Sequence, residues 1–335
     1  MKSRLNWVDI ARGIGIITVL YGHAISGDSF RHILYAFHMP LFFFLSGIVF
    51  NPQKNSQFLP FVIKNIRTIV IPYLLFSVLG YGIWLLSRSS LPQVNQILSH
   101  MAGIFYGSSN GLFFNVVLWF LPCLFVTRLV FWVFTYFIKD SSHILLGLLG
   151  LSIISYLISL LFPGIKLPFG IETALTAVVF YGFGYLSNVE GQKVIAKIHI
   201  PSYALIGLAL CVLIVFASIN FNLYGYQIDM RLNRYSNYVF FYIAAMSGIS
   251  AVVLGSIALK KNDVLEKIGK YSLPLFVWHM IVFTYLTQIT RVFISSETFT
   301  QYRTFVIAPI FTVCTTMFIL GVMYLIDLAK TKFIK

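Results

Sequence analysis

Two basic side chains near the amino terminus have the types and the spacing expected of a catalytic site. Arg12 and His23 occur in the stretch NWVDIARGIGIITVLYGHA, eleven residues apart. On an α-helix, which turns about 100° per residue, this step places both side chains on one face, about 16 Å apart. Arginine binds phosphates, and histidine accepts protons near neutral pH. The alternative interpretation is a packing histidine and an Asp9–Arg12 pair that only closes the start of the helix.

Four further ionisable residues stand at or within later apolar runs. Lys64 and Arg67 lie one turn apart on a shared helix face at the predicted start of the third run. A cytoplasmic loop would also be rich in such residues. Glu172 and His279 stand in two later apolar runs, and each could line a polar cavity or be a satisfied interior group. Ionisable residues inside a membrane are costly and are often functional.

The composition indicates an integral membrane protein. The 335 residues are 59% hydrophobic and only 10% charged, whereas soluble domains contain about 25% charged residues. The net charge of +14 comes from Lys and Arg in short gaps between apolar runs, so nucleic-acid binding is not expected. The three cysteines lie far apart in apolar runs, which predicts neither a disulfide framework nor a metal site.

The apolar runs predict an all-α, polytopic membrane helix bundle of about ten transmembrane helices. The runs lie near 8–25, 33–50, 67–87, 112–138, 143–162, 171–188, 202–219, 237–258, 272–290 and 304–327. Alternate gaps carry 15 Lys and Arg on the amino-terminal side and 7 on the other side. By the positive-inside rule both termini are cytoplasmic. We expect an uncleaved first helix and a single membrane domain over residues 1–335, without a soluble extension.

Smaller features refine this picture. Ser46 and Gly47 are interpreted as a small-residue pair for close helix packing. His38, two residues before Pro40, is compatible with a functional or a structural role. The segment from Lys260 to Lys270 predicts a short cytoplasmic surface helix without chemistry.

Two segments together resemble the membrane-bound acyltransferase 3 family, in particular its fucose 4-O-acetylase-like members. They are NWVDIARGIGIITVLYGHA and FHMPLFFFLSGIVF. That family carries an Arg and a His with ten residues between them on its first helix, which Arg12 and His23 match. WFLPCLF, LPFGIETALTAVVFYGFGYL and KYSLPLFVWH look like further family blocks, so the resemblance covers nearly the whole chain.

The resemblance implies an enzyme of the bacterial cytoplasmic membrane that transfers an acyl group, usually acetyl from acetyl-CoA, without a metal. The acceptor would be a hydroxyl of a cell-surface carbohydrate or of its lipid-linked precursor. His23 would be the catalytic base and Arg12 would bind the donor. Many members have two arginines at the third helix, where this chain has Lys64 and Arg67. Both are assigned to the donor, although lysine lacks the planar fork of arginine.

The remaining assignments leave alternatives open. Glu172 and His279 could be catalytic by orienting the acceptor or His23. A polysaccharide or small-solute transporter of the same fold would instead use His23 and Glu172 as proton-coupling groups. A non-catalytic membrane assembly factor would need neither. The acyl chain, the acceptor, the side of transfer and the oligomeric state remain open.

Overall fold

The computed structural model describes residues 6–25, 30–195 and 202–333, without the side chains of 189–195 and 332–333. Four of the basic residues counted for the topology lie outside this part: Lys2, Arg4, Lys197 and Lys335. The described residues form helices and turns, with one isolated β-bridge between Asp229 and Arg234. The predicted all-α class is confirmed.

Fourteen α-helices follow one another along the described chain. They are α1 Asn6–Ala24, α2 Arg31–Ile48, α3 Phe58–Asn65, α4 Ile71–Leu86, α5 Val94–Tyr106, α6 Phe120–Phe137, α7 Ser141–Leu161, α8 Ile171–Ile195, α9 Ser202–Tyr224, α10 Tyr238–Ala258, α11 Asp263–Lys270, α12 Ser272–Phe293, α13 Ser296–Tyr302 and α14 Ala308–Phe333. A π-helical turn, Ile66–Val70, joins α3 to α4, and another, Arg303–Ile307, joins α13 to α14.

Each of the ten predicted spans corresponds to a long helical segment. Among the described residues, eight of these segments are long and apolar enough to cross a membrane. The other two are α1, which contains Asp9 and Arg12, and α2, which begins with Arg31 and contains His38. Polar residues lower the hydropathy of these two helices, and α1 and α2 also carry the most distinctive candidate residues. The chain is therefore a polytopic, multi-pass helical membrane protein.

The third span begins earlier than predicted. Residues 67–87 were expected, but the continuous helical segment is Phe58–Leu86. Pro60 lies in the first turn of this segment, where backbone amides have no hydrogen-bond partner within the helix. Proline is therefore tolerated at this position. Lys64 and Arg67 consequently lie well inside the segment rather than at its start.

The chain divides into two compact units. Unit one comprises Met1–Met39, Ile200–Ile228 and Val239–Lys335, and unit two comprises Pro40–His199 and Asp229–Tyr238. The break within α2 falls at Pro40, which cannot donate a helical hydrogen bond.

In unit one, α1 packs closely against the short helix α11. A β-carbon at Gly13 would overlap the carbonyl oxygen of Leu265, and one at Gly269 would overlap that of Asp9. Glycine is therefore required on both helices for their backbones to touch. The predicted surface helix exists, but one of its faces is packed against α1, with Ile268 buried. The helix α1 also contacts α12 and α14.

In unit two, the second half of α2 packs against α8 in the same manner. A β-carbon at Gly47 would overlap the carbonyl oxygen of Tyr181, and one at Gly184 would overlap that of Phe44. This confirms the close-packing role predicted for Gly47. An aromatic-rich core lies beside this crossing: Phe50, Phe61, Phe131, Trp132, Ile144, Leu148, Val178 and Tyr181.

Candidate active site

His23 lies in the last turn of α1, at the end opposite Asp9 and Arg12. Its half-buried ring lies beside Tyr35 of α2 and His279 of α12, all in unit one. The ring centres of His23 and His279 are 5.1 Å apart. The Tyr35 hydroxyl is 3.4 Å from His23 Nδ1. The fold thus brings together two candidate residues from apolar runs that are far apart in the sequence.

The backbone holds His279 in one tautomer. Its Nδ1 lies 2.7 Å from the carbonyl oxygen of Phe276 and 3.2 Å from that of Leu275. Because carbonyl oxygens only accept hydrogen bonds, Nδ1 carries the hydrogen, and in the neutral ring Nε2 carries the lone pair. This Nε2 is buried without a hydrogen-bond partner among the described residues. An unpaired buried polar atom costs about 1–3 kcal/mol, which is typical of a site that awaits a ligand or a proton.

Tyr35 connects His23 to a guanidinium group. Arg31 Nη2 donates to the Tyr35 hydroxyl over 3.0 Å, and the Arg31 guanidinium lies 4.9 Å from the centre of the same ring. His38 packs edge-on against Tyr35, with ring centres 4.8 Å apart. The hydroxyl therefore has a charged donor on one side and the His23 imidazole on the other. Such an arrangement orients the imidazole.

Arg12 lies toward the other end of α1 and pairs with Asp9. Its Nη1 is 3.4 Å from Asp9 Oδ1, and about a third of its side chain (31%) is exposed. A cavity of about 300 Å³ opens at this end of the helix between α1 and α11. Its lining residues are Asn6, Asp9, Glu266, Lys267, Lys270 and Tyr271. The basic segment to which the sequence assigned no chemistry therefore contributes two lysines to this cavity.

Lys64 and Arg67 belong to unit two, and both side chains are exposed. Lys64 ends the helix α3, and Arg67 lies in the following π-helical turn. Such turns are rare and are frequently found at functional sites. Lys64 also lines a small cavity of about 170 Å³ together with Lys54 and Gln57. Both residues are thus available to a large polar ligand, and their donor role stays a prediction.

Glu172, in unit two, lies in a polar network that satisfies it locally. Its side chain is 2% exposed, accepts a hydrogen bond from the Leu167 amide over 3.1 Å and lies 3.7 Å from Lys166 Nζ. Lys166 Nζ also donates to the Arg231 carbonyl over 3.0 Å. Burial lowers the pKa of Lys166, and the charges of Glu172 and Asp229 oppose that change. This network pairs the Glu172 carboxylate within unit two, and its catalytic role stays a prediction.

Three residues near His23 were not selected from the sequence: Tyr35, Arg31 and Arg303. Arg31 and Tyr35 are four residues apart at the start of α2, a spacing that places them on one helix face. Arg303 Nε donates to the carbonyl oxygen of Ala24 over 2.9 Å. Arg303 lies close to His23 because it contacts Ala24, which is 279 positions away in the sequence, and no local sequence pattern predicts such a contact. Within the described residues, no cluster of three side chains is suited to bind a metal.

The bundle therefore brings two histidines, His23 of α1 and His279 of α12, together at the carboxyl-terminal end of α1. The model of the acyltransferase 3 family, described as an acyltransferase domain, matches residues 5–328. The chain therefore belongs to the acyltransferase 3 family and is a membrane acyltransferase. Comparison with curated proteins and with solved structures finds no match.

Proposed function

We propose that this protein transfers an acetyl group from acetyl-CoA to a hydroxyl of a cell-surface carbohydrate or of its lipid-linked precursor. It would do so in the bacterial cytoplasmic membrane, with both termini in the cytoplasm. The observation that carries the proposal is the pairing of His23 and His279, with ring centres 5.1 Å apart. The family membership favours acyl transfer over the transporter alternative.

His23 is the proposed general base. Its imidazole takes the proton from the acceptor hydroxyl while the hydroxyl oxygen attacks the thioester carbonyl carbon. The tetrahedral intermediate then collapses, the carbon–sulfur bond breaks, and the protonated imidazole returns the proton to the sulfur of CoA. Atoms and charges balance without a metal or a redox partner. A half-buried position suits this role because the ring reaches the substrate but is partly shielded from water.

Tyr35 and His279 support His23 in this scheme. The Tyr35 hydroxyl, 3.4 Å from His23 Nδ1, orients the ring. The lone pair of His279 Nε2 has no partner among the described residues, so it can stabilise a neighbouring protonated imidazole or orient the acceptor. His279 therefore enters the proposal as a catalytic candidate, whereas Tyr35 is a positioning residue.

The donor would enter from the cytoplasmic end of α1. Arg12 lies about 16 Å before His23 along the helix axis, a distance that suits the long, thin pantetheine arm of CoA. Arg12 would bind a phosphate of CoA. The donor role of Lys64 and Arg67, which belong to unit two, is supported by the sequence resemblance alone. The cavity beside Asp9 and Lys267 offers space for polar groups at this end.

The direct test is turnover with a defined product. Purified protein in lipid nanodiscs should release CoA from acetyl-CoA only when a glycan acceptor is present. Mass spectrometry of the glycan should show the added mass of one acetyl group. Movement of the glycan across a vesicle membrane without acetyl-CoA, and without an acetylated product, would instead establish the transporter alternative.

Removal of the Tyr35 hydroxyl should slow catalysis without unfolding the protein. In Tyr35→Phe the ring still packs against His38, but the hydrogen bond to His23 is lost. We expect kcat to fall about tenfold, the scale of one hydrogen bond of about 1.4 kcal/mol, with little change in KM for acetyl-CoA. The pH profile of kcat should also shift, because the hydroxyl contacts the base. An unaltered pH profile and kcat would exclude the positioning role.

Loss of the Arg12 charge should weaken donor binding selectively. In Arg12→Gln we expect KM for acetyl-CoA to rise about tenfold or more, because a charge-assisted phosphate contact contributes about 1.5–3 kcal/mol. KM for the acceptor should stay within about twofold. Arg12→Lys should recover part of the affinity as a point charge. Asp9→Asn is the matched variant, because it removes the Asp9 charge and keeps Arg12. If Asp9→Asn raises KM for acetyl-CoA and Arg12→Gln does not, the Asp9–Arg12 pair has a structural role and not a donor-binding role.

A further inference from the structure

A group of arginines lies beside His23, at the end of α1 opposite Arg12. Arg31 bonds to Tyr35, which contacts His23. Arg303 Nε donates to Ala24, the residue after His23. The segments that carry Arg31 and Arg303 also touch, since the rings of the neighbouring Phe30 and Phe305 pack edge-on with centres 5.8 Å apart. Cations from two helical segments of unit one, Arg31 and Arg303, therefore lie close to the proposed base.

The positive charge of this group is not balanced by the carboxylates that the structure describes. Arg31, Arg291 and Arg303 take part in none of the ion pairs among the described residues. Arg31 and Arg303 are both half-buried, and Arg31 Nε is buried without a hydrogen-bond partner. Partly buried like charges repel each other strongly, since the effective dielectric constant is well below that of water. An anion bound between them would relieve this repulsion.

The local packing keeps the guanidinium groups in place for such a ligand. The buried ring of Phe299 lies under two of them, 5.6 Å from the Arg303 guanidinium carbon and 5.4 Å from that of Arg291. Arg303 also begins the π-helical turn between α13 and α14, a feature that is frequent at functional sites. Preorganised guanidinium forks bind planar oxyanions in a bidentate manner.

From this placement we infer that Arg31 and Arg303 bind an anionic group, phosphate or carboxylate, of the acceptor, so that the enzyme acetylates charged sugars in preference to neutral ones. The inference rests on the proposed function and specifies its acceptor. The donor is a poor occupant, because its phosphates would be bound at Arg12, toward the other end of α1. The acceptor then approaches His23 from the carboxyl-terminal end of α1 and the donor from the amino-terminal end.

Binding without turnover tests the site first. The probes are glucose 1-phosphate, glucuronic acid and neutral glucose, titrated calorimetrically into the full chain in nanodiscs without acetyl-CoA. Wild type should bind at least one charged probe about tenfold more tightly than glucose, and Arg31→Gln should lose about tenfold or more of that affinity. The two charged probes distinguish a phosphate from a carboxylate ligand. Equal binding of charged and neutral probes would overturn the inference.

Several variants make the result decisive. Arg303→Gln should weaken binding as Arg31→Gln does, and Arg303→Lys should recover part of it. Arg303→Gln also removes the hydrogen bond to the Ala24 carbonyl oxygen. If that loss unfolds the protein, Arg31→Gln still tests the site, because Arg31 forms no hydrogen bond with a backbone atom of the described residues. Arg88→Gln is the matched control, because Arg88 is exposed and stacks on Trp84 in unit two. It should leave binding unchanged.

Kinetics and one further variant separate the remaining outcomes. With acetyl-CoA present, Arg31→Gln should raise KM for the charged acceptor about tenfold and leave KM for acetyl-CoA unchanged. The reverse pattern would assign the arginines to the donor and overturn the inference.

Asp28 is close to Arg31 in sequence but lies outside the described residues. If Asp28→Asn binds the charged probes and wild type does not, Asp28 already neutralises the arginines in the wild-type chain, and the inference fails. Arginine-dependent binding without acetyl transfer would refute the proposed function alone.

Discussion

Replacement of His23 by alanine should reduce acceptor-dependent release of CoA by about 10²- to 10⁴-fold, the range that a positioned general base contributes. The residue is half-buried between Tyr35 and His279, so alanine removes the base and leaves its neighbours. The loss should appear mainly in kcat, since no donor contact is assigned to the imidazole. His23→Gln should be similarly inactive, because its amide retains polar contacts but accepts no proton at neutral pH. The measurement is CoA release with acetyl-CoA and a glycan acceptor.

The matched control for this prediction is His143→Ala. His143 Nδ1 lies 3.0 Å from the carboxylate of Asp140, the residue that caps the start of α7, and the His143 side chain is 73% exposed. Its loss should leave kcat within about twofold, as expected for a surface substitution. Both variants must elute as monodisperse protein with a wild-type unfolding midpoint. Full turnover by a folded His23→Ala protein would refute the assignment of the base.

His279→Gln separates a catalytic from a packing role for the second histidine. Glutamine has a similar length and can still donate to the carbonyl oxygens of Phe276 and Leu275, but it lacks the basic nitrogen. A catalytic role predicts a kcat loss comparable to that of His23→Gln with an unchanged unfolding midpoint. A packing role predicts a lower midpoint with turnover that is retained in the folded fraction.

Gly47→Ala should strongly destabilise the contact between α2 and α8 in unit two. The added β-carbon would overlap the backbone carbonyl oxygen of Tyr181, and a backbone atom cannot move aside as a side chain can. Overpacking of this kind costs about 1–3 kcal/mol and sometimes more. We expect a lower unfolding midpoint and a reduced yield of monodisperse protein. Gly184→Ala should do the same, because its β-carbon would overlap the Phe44 carbonyl oxygen across the same helix crossing.

Gly207→Ala in α9 provides the matched substitution without a clash. Gly207 is exposed, and no atom lies within 4 Å of the position that its β-carbon would take. Alanine is favoured over glycine inside a helix by about 1 kcal/mol. The unfolding midpoint should therefore stay the same or rise. Equal destabilisation by Gly47→Ala and Gly207→Ala would show that the α2–α8 contact is not as close as described.

Much of the candidate site could be predicted from the sequence, because helix geometry is local. The Arg12–His23 spacing predicted one helix face, and α1 is a continuous helix over both residues. The pairing of Asp9 with Arg12 followed from their three-residue separation, and the structure confirms it. Gly47 was correctly assigned to close packing, since small residues in apolar helices usually serve that purpose.

Other residues could not be assigned from local patterns. His279 was ambiguous in the sequence, because an isolated histidine in an apolar run is equally compatible with packing. Its contact with His23 supports the catalytic interpretation that the sequence left open beside packing. Glu172 was equally open in the sequence: the structure pairs its carboxylate with Lys166 and the Leu167 amide, and its catalytic role stays a prediction. The segment Lys260–Lys270 looked like an ordinary basic loop, whereas Gly269 lets α11 pack against α1.

The sequence by itself determined the class of the protein: a multi-pass helical membrane acyltransferase with a basic residue and a histidine on its first helix. Composition, apolar run length and helical periodicity are sufficient for the multi-pass helical class, because each depends only on neighbours along the chain. The acyltransferase activity came from the resemblance of the sequence motifs to a known family. The tertiary structure alone decided which distant residues surround His23, namely Tyr35, His279 and Arg303. Those contacts depend on how the helices cross, and a crossing is fixed by packing among side chains and backbone atoms that are far apart in sequence.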